Sequence, residues 1–143
     1  MFTERGQGLI RWGAGLLLIA VVSGFLIPRV ADPLLGLAAH VQGLMNAFLL
    51  LLVGLIWSRL QIGYLASVTV YWGLIAGAYV TLIVQIACAG LGIGGSIFPL
   101  VAGGHLGTPA AERIVRVLVE GAAGVTAVAM LLVARAALRK PAI

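Results

Sequence analysis

Long apolar runs separated by short polar interruptions make up almost the whole chain, and the interruptions set its architecture. The first run extends from about Leu9 to Ile27 and stops at Pro28, Arg29, Asp32 and Pro33, a proline-bounded turn that a helix does not continue through. A second run, from about Leu34 to Trp57, gives way to Ser58-Arg59-Leu60-Gln61-Ile62-Gly63. The third, from about Tyr64 to Leu91, contains no charged residue and is long enough to cross a bilayer with tilt. Gly90 to Gly95 break it, and a loop rich in glycine and proline continues through Pro99, Gly103, Gly104, His105 and Gly107. Thr108 is then placed to cap a last helix, with Pro109 at its first position and Glu112 in its first turn. That helix runs from about Ala110 to Ala134 and is closed by Arg135, Arg139 and Lys140. Four membrane-spanning helices joined by short connections are predicted.

Composition turns this pattern into a class. Of 143 residues, 62% are hydrophobic and 9% charged, and the mean hydropathy is +1.18; a water-soluble domain has about a quarter charged residues. The expectation is an all-α integral membrane four-helix bundle, a single transmembrane domain over residues 1–143. The net charge of +5 is scattered, with no basic run interleaved with aromatics, so nucleic acid is not an expected partner. The one cysteine, Cys88, excludes an intrachain disulfide and reads as a small core residue. Glu4, Arg5 and Arg11 precede the first run with no small-x-small cleavage site before Arg29, so that run reads as a retained helix. One side of the membrane would hold Arg5, Arg11, Arg59, Arg135, Arg139 and Lys140, and the other Arg29 and Arg113, with Arg116 a turn further in. The excess predicts cytoplasmic termini in a multi-pass protein.

Small residues give a packing pattern. Gly73, Gly77 and Thr81 recur every four residues on span three, with Cys88 a heptad further along, and Gly121 and Gly124 are expected to serve similarly on span four. Glu112, Arg116 and Glu120 are also four apart, which lets Arg116 pair with either acid.

The polar residues that carry chemistry lie in the stretch Gly36-Leu37-Ala38-Ala39-His40-Val41-Gln42-Gly43-Leu44-Met45-Asn46, which opens span two. Polar groups at membrane depth are costly and usually face a bundle interior or a cavity. Gln42 and Asn46 share a helical face, whereas His40 and Asn46 stand about 120° apart around the axis and about 9 Å apart along it. In span three Trp72 and Tyr79 are seven apart and share a stripe, and a mid-span tyrosine needs a partner for its hydroxyl. His105 sits among glycines in the loop, as a surface residue or part of a lid.

That stretch, together with Leu55-Ile56-Trp57-Ser58-Arg59-Leu60, Gly77-Ala78-Tyr79 and Ala102-Gly103-Gly104-His105-Leu106-Gly107, resembles the hydroxylaminobenzene mutases, small four-helix bacterial membrane proteins related to the styrene oxide isomerases. The resemblance covers nearly the whole chain, and its most specific element is the spacing of His40 and Asn46. It departs from the pattern at Thr81, where an amide is expected. It implies a homotrimer in the bacterial cytoplasmic membrane, with ferric haem b between protomers and His40 as the axial ligand of the iron. It also implies that Asn46 and Tyr79 line the opposite, substrate-bearing face, leaving Gln42, Trp72, Thr81 and His105 as further substrate or supporting contacts. The helical angle between His40 and Asn46 suits a site shared by two protomers.

The implied reaction is rearrangement of an arylhydroxylamine to an ortho-aminophenol, and its alternative is isomerisation of an aryl epoxide to an aldehyde. Two other classes fit less well. A haem electron carrier would need a second axial ligand, and the remaining histidine, His105, lies in the loop. A proton-coupled transporter would need an unpaired membrane acid, whereas Glu120 has Arg116 one turn away.

Overall fold

The structure is a computed structural model and describes residues 4–138. Four long helices follow in order: α1 (Glu4–Gly24), α2 (Pro33–Ile56), α3 (Tyr64–Leu91) and α4 (Pro109–Ala137). All four are long and apolar enough to cross a membrane. The α1 helix begins and ends earlier than the hydropathy suggests, because Ile27-Pro28-Arg29 winds into a separate 3₁₀ turn. Asp32 starts α2 by accepting the Leu35 N–H at 3.0 Å, with Pro33 behind it. A second 3₁₀ turn, Trp57–Arg59, follows α2. Gly92, at φ +64°, ends α3 in the left-handed conformation that glycine adopts without steric cost. Thr108 caps α4 as the sequence predicts, accepting the Ala111 N–H. Arg139 and Lys140 lie outside the described residues.

The helices run up, down, up, down. Gly54 of α2 meets Gly6 and Ile10 of α1, while at the other end of the same pair Gly24 meets His40. Across α3 and α4, Gly73 faces Val125 and Ala129, and Gly77 faces Ala122 and Thr126. A β-carbon added to Gly77 would lie 3.1 Å from the Ala122 carbonyl oxygen, so its hydrogen side chain is what lets the two backbones approach. Gly121 and Gly124 do not share this function. Both are exposed, with nothing within 4 Å of where a side chain would begin, because α4 is rotated to turn Ala122, Thr126 and Ala129 toward α3.

The main core gathers Leu9, Leu16, Leu50, Leu74 and Leu82 with Ala20, Ala39 and Ala47 at the α1–α2–α3 junction. A smaller cluster of Leu35, Cys88, Ala102 and Val115, flanked by Ile97 and Phe98, fills the space under the long loop. The α4 helix leans on α3, with no substantial interface to α1 or α2. A cleft between α2 and α4, floored by α3, is the consequence.

Candidate active site

His40 lies seven residues into α2, at the loop end of the bundle, and turns toward α1. Its Nδ1 is 2.7 Å from the Ala20 carbonyl oxygen, so the ring donates its Nδ1–H there and keeps a lone pair on Nε2. The ring fits because Gly24 has no side chain: a β-carbon there would lie 2.9 Å from Cε1 and 3.0 Å from Nδ1. This backbone bond fixes both tautomer and ring plane, as in histidines that bind metals through the other nitrogen.

Gln42 and Asn46 point the other way, into the cleft. The Gln42 amide donates to Asn46 Oδ1 at 3.2 Å, which leaves the Asn46 NH₂ to act as donor. Its one acceptor among the described residues is the Ala78 carbonyl at 3.5 Å, beyond the normal range for an N–H···O bond. The cleft has a volume of about 420 Å³, within the range of small-molecule sites, and is walled by Gln42 and Asn46 of α2, Gly77, Thr81 and Gln85 of α3, and Val119, Ala123, Thr126 and Ala127 of α4. Thr81 donates back to the Gly77 carbonyl at 2.6 Å, and Thr126 to that of Ala122 at 2.9 Å. Gln85 is 7% exposed and its Oε1 has no partner among the described residues. A buried acceptor left unpaired costs about 1–3 kcal/mol.

Other residues singled out in the sequence sit elsewhere. The Tyr79 hydroxyl donates to the Trp12 carbonyl at 2.9 Å, and the two rings meet edge to face with centroids 5.5 Å apart. Tyr79 therefore faces α1, as His40 does, and within one chain it is not brought to Asn46. Trp72 is exposed on the outer surface of α3 against Tyr71. His105 is exposed in the loop, its Nδ1 3.4 Å from the Asp32 carboxylate.

The expected pairing of Arg116 with Glu112 or Glu120 is absent from the described residues. The Glu112 carboxylate turns instead into the loop and accepts from Gly94 N at 2.7 Å, Gly107 N at 2.8 Å, Ser96 N at 3.1 Å and Ser96 Oγ at 2.6 Å. Four convergent donors hold it in preference to a mobile guanidinium on the helix surface. Glu112 is thus the post around which residues 92–108 wrap, and Asp32 is a second anchor, bonded through its own N–H to the Ala89 carbonyl. Gln85 is a cleft residue with no role evident from the sequence alone, although the four-residue repeat Gly77, Thr81, Gln85 marks it there.

Four helices long and apolar enough to cross a membrane agree with what the chain is similar to. The profile of the styrene oxide isomerase family matches residues 6–138. The chain belongs to that family. It is 35% identical over 107 residues to hydroxylaminobenzene mutase HabB of Ectopseudomonas oleovorans, a match covering 75% of this chain and 65% of that relative. With hydroxylaminobenzene mutase HabA of the same organism it shares 37% identity over 107 residues, covering 74% of this chain and 78% of the relative. No solved structure matches.

Proposed function

We propose that the protein is a membrane isomerase that rearranges an arylhydroxylamine to an ortho-aminophenol. The reading rests above all on a polar-lined cleft at membrane depth in a chain 35–37% identical to two hydroxylaminobenzene mutases. In the reaction the N–O bond breaks and oxygen is attached to the ring carbon ortho to nitrogen. That carbon loses its proton, nitrogen gains one, and the composition is unchanged, so no second substrate is needed.

His40 would hold a haem b through its Nε2. Its Nδ1–H is committed to Ala20, which directs the Nε2 lone pair outward. The described residues contain no cluster of three or more His, Cys, Asp or Glu side chains, and a haem would not require one. When bound, the ferric haem supplies a Lewis acid for the substrate heteroatom. The chain supplies orientation: Asn46 donates to the substrate from the cleft, Gln42 holds the Asn46 amide, and Tyr79 offers a hydroxyl oxygen from the α1 side. Apolar walls keep out water that would divert a cationic rearrangement.

His40 and Asn46 look out from different sides of α2, so the complete site takes His40 from one protomer and Asn46 from the next, in a homotrimer. The α4 surface supports an assembly, since it is the least buried span yet exposes Arg113, Arg116 and Glu120, which suit a protein neighbour better than lipid. The proposed setting is the bacterial cytoplasmic membrane with both termini inside, because Arg5, Arg11, Arg59 and Arg135 share one end of the bundle.

The deciding experiment is the absorption spectrum of the detergent-purified protein expressed with ample haem, followed by incubation with phenylhydroxylamine. A Soret band and 2-aminophenol as product are expected; absence of the band would overturn the haem assignment, and absence of product the reaction. The family match favours one second reading, isomerisation of an aryl epoxide, and incubation with styrene oxide tests it.

A further inference from the structure

Several polar atoms of the cleft are consumed internally. The hydroxyls of Thr81 and Thr126 turn back on their own helices, and a Gln42 N–H is spent on Asn46. Two groups stand out from the rest: the Asn46 NH₂, held only at 3.5 Å, and Gln85 Oε1, which among the described residues is the single buried side-chain oxygen or nitrogen with no partner. One is a donor and the other an acceptor. A ligand that satisfies both must carry an acceptor and a donor at the polar end of an apolar body.

We propose that Gln85 is a substrate-binding residue that accepts a hydrogen bond from the N–H or O–H of the substrate, and so selects donor-bearing aryl compounds over aryl epoxides. The proposal rests on the isomerase reading and sharpens it. An arylhydroxylamine has both a donor and an acceptor at its polar end. An aryl epoxide has an acceptor oxygen and no donor, so in its presence Gln85 Oε1 stays unpaired, and a site built to bond a donor discriminates against a substrate that lacks one. Placement agrees with this: Gln85 is one turn beyond Thr81 on the same face of α3, and both line the cleft. The packing account leaves the side chain otherwise unexplained, because a polar group retained in an apolar span without a partner is a cost to the fold.

The test compares Gln85→Met, which removes the amide at similar length, with Gln85→Glu, which keeps an acceptor oxygen, in the full-length detergent-purified protein. Turnover of phenylhydroxylamine and of styrene oxide is measured beside the thermal midpoint and the binding of phenol against anisole, a pair differing by one O–H. For Gln85→Met the expected kcat/KM loss with phenylhydroxylamine is about ten- to a hundredfold. Any turnover of styrene oxide should stay unchanged, the midpoint should hold or rise, and the wild-type preference for phenol should vanish. Gln85→Glu should recover activity and preference in part. A parallel loss on both substrates with a lowered midpoint would make Gln85 a structural residue and overturn the proposal, as would an unchanged phenol preference in Gln85→Met. If the wild type converts neither substrate, the isomerase reading fails, and the phenol and anisole titrations still decide whether Gln85 binds a donor.

Discussion

The capping loop and the adjacent cleft both bury polar side chains, and they treat them in opposite ways. In the loop, Glu112 gathers four donors and nothing of its carboxylate is left to offer. In the cleft, among the described residues, Gln85 Oε1 has no partner and the Asn46 NH₂ has only a long one. His40 stands between, with one ring nitrogen committed to Ala20 and the other free of protein partners among the described residues. Inside an apolar bundle every unmade hydrogen bond is costly, so saturation marks a group kept for the fold and incompleteness marks a group kept for a ligand. The contrast is more informative than residue type: the one buried carboxylate of α4 is scaffold, and a plain glutamine is the candidate contact.

Substitution can break or sharpen this contrast. The largest effect is expected from His40→Ala, which should abolish the Soret band and all haem-dependent turnover while far-ultraviolet circular dichroism retains its helical signal. A retained band would move the ligand elsewhere. Next is Glu112→Ala, which strands the N–H groups of Gly94, Ser96 and Gly107 at once. We expect a loss of about 3 kcal/mol in thermal or denaturant unfolding, with hydrogen exchange rising at residues 92–108. Asn46→Ala should do the reverse, lowering kcat/KM about a hundredfold with little change in the midpoint. A midpoint that fell as far as in Glu112→Ala would erase the distinction between the two regions. Smallest is the pair at the second anchor. Asp32→Ala removes the α2 cap and should cost about 1 kcal/mol, whereas His105→Ala should cost under about 0.5 kcal/mol, its ring being 54% exposed at 3.4 Å from Asp32.

The spans were legible because an apolar run of bilayer length has few other uses, and the cap at Thr108 because its chemistry is local. Helix rotation was not. Gly121 and Gly124 carry the same small-residue signal as Gly73 and Gly77, yet only the α3 pair faces a neighbour, and spacing along one helix does not say which face the next will meet. Glu112 shows a second limit. The i, i+4 rule links it to Arg116, but its real partners come from backbone N–H groups of a loop that returns over the helix end, and a side-chain pattern contains no record of those. The stretch containing His40 and Asn46 stood out as polar in an apolar run, and its division between two sides of α2 followed from the helical angle. Gln85 has the same polar signature in isolation; it becomes noticeable once the Gly77, Thr81, Gln85 repeat is seen to floor a cleft.

One contact in this fold extends well beyond its size. The imidazole of His40 is gripped by the main chain of α1, at the Ala20 carbonyl and over the bare Cα of Gly24. The azimuth of the ring is therefore inherited from how far α1 slides along α2. Any change that shifts this register by a fraction of a turn, even one made at Gly13 in the middle of α1 or at Gly54 near the opposite end of the pair, will swing the ring plane. A residue in the first helix can thus alter how the His40 ring is presented some two turns and more away while His40 itself is unchanged.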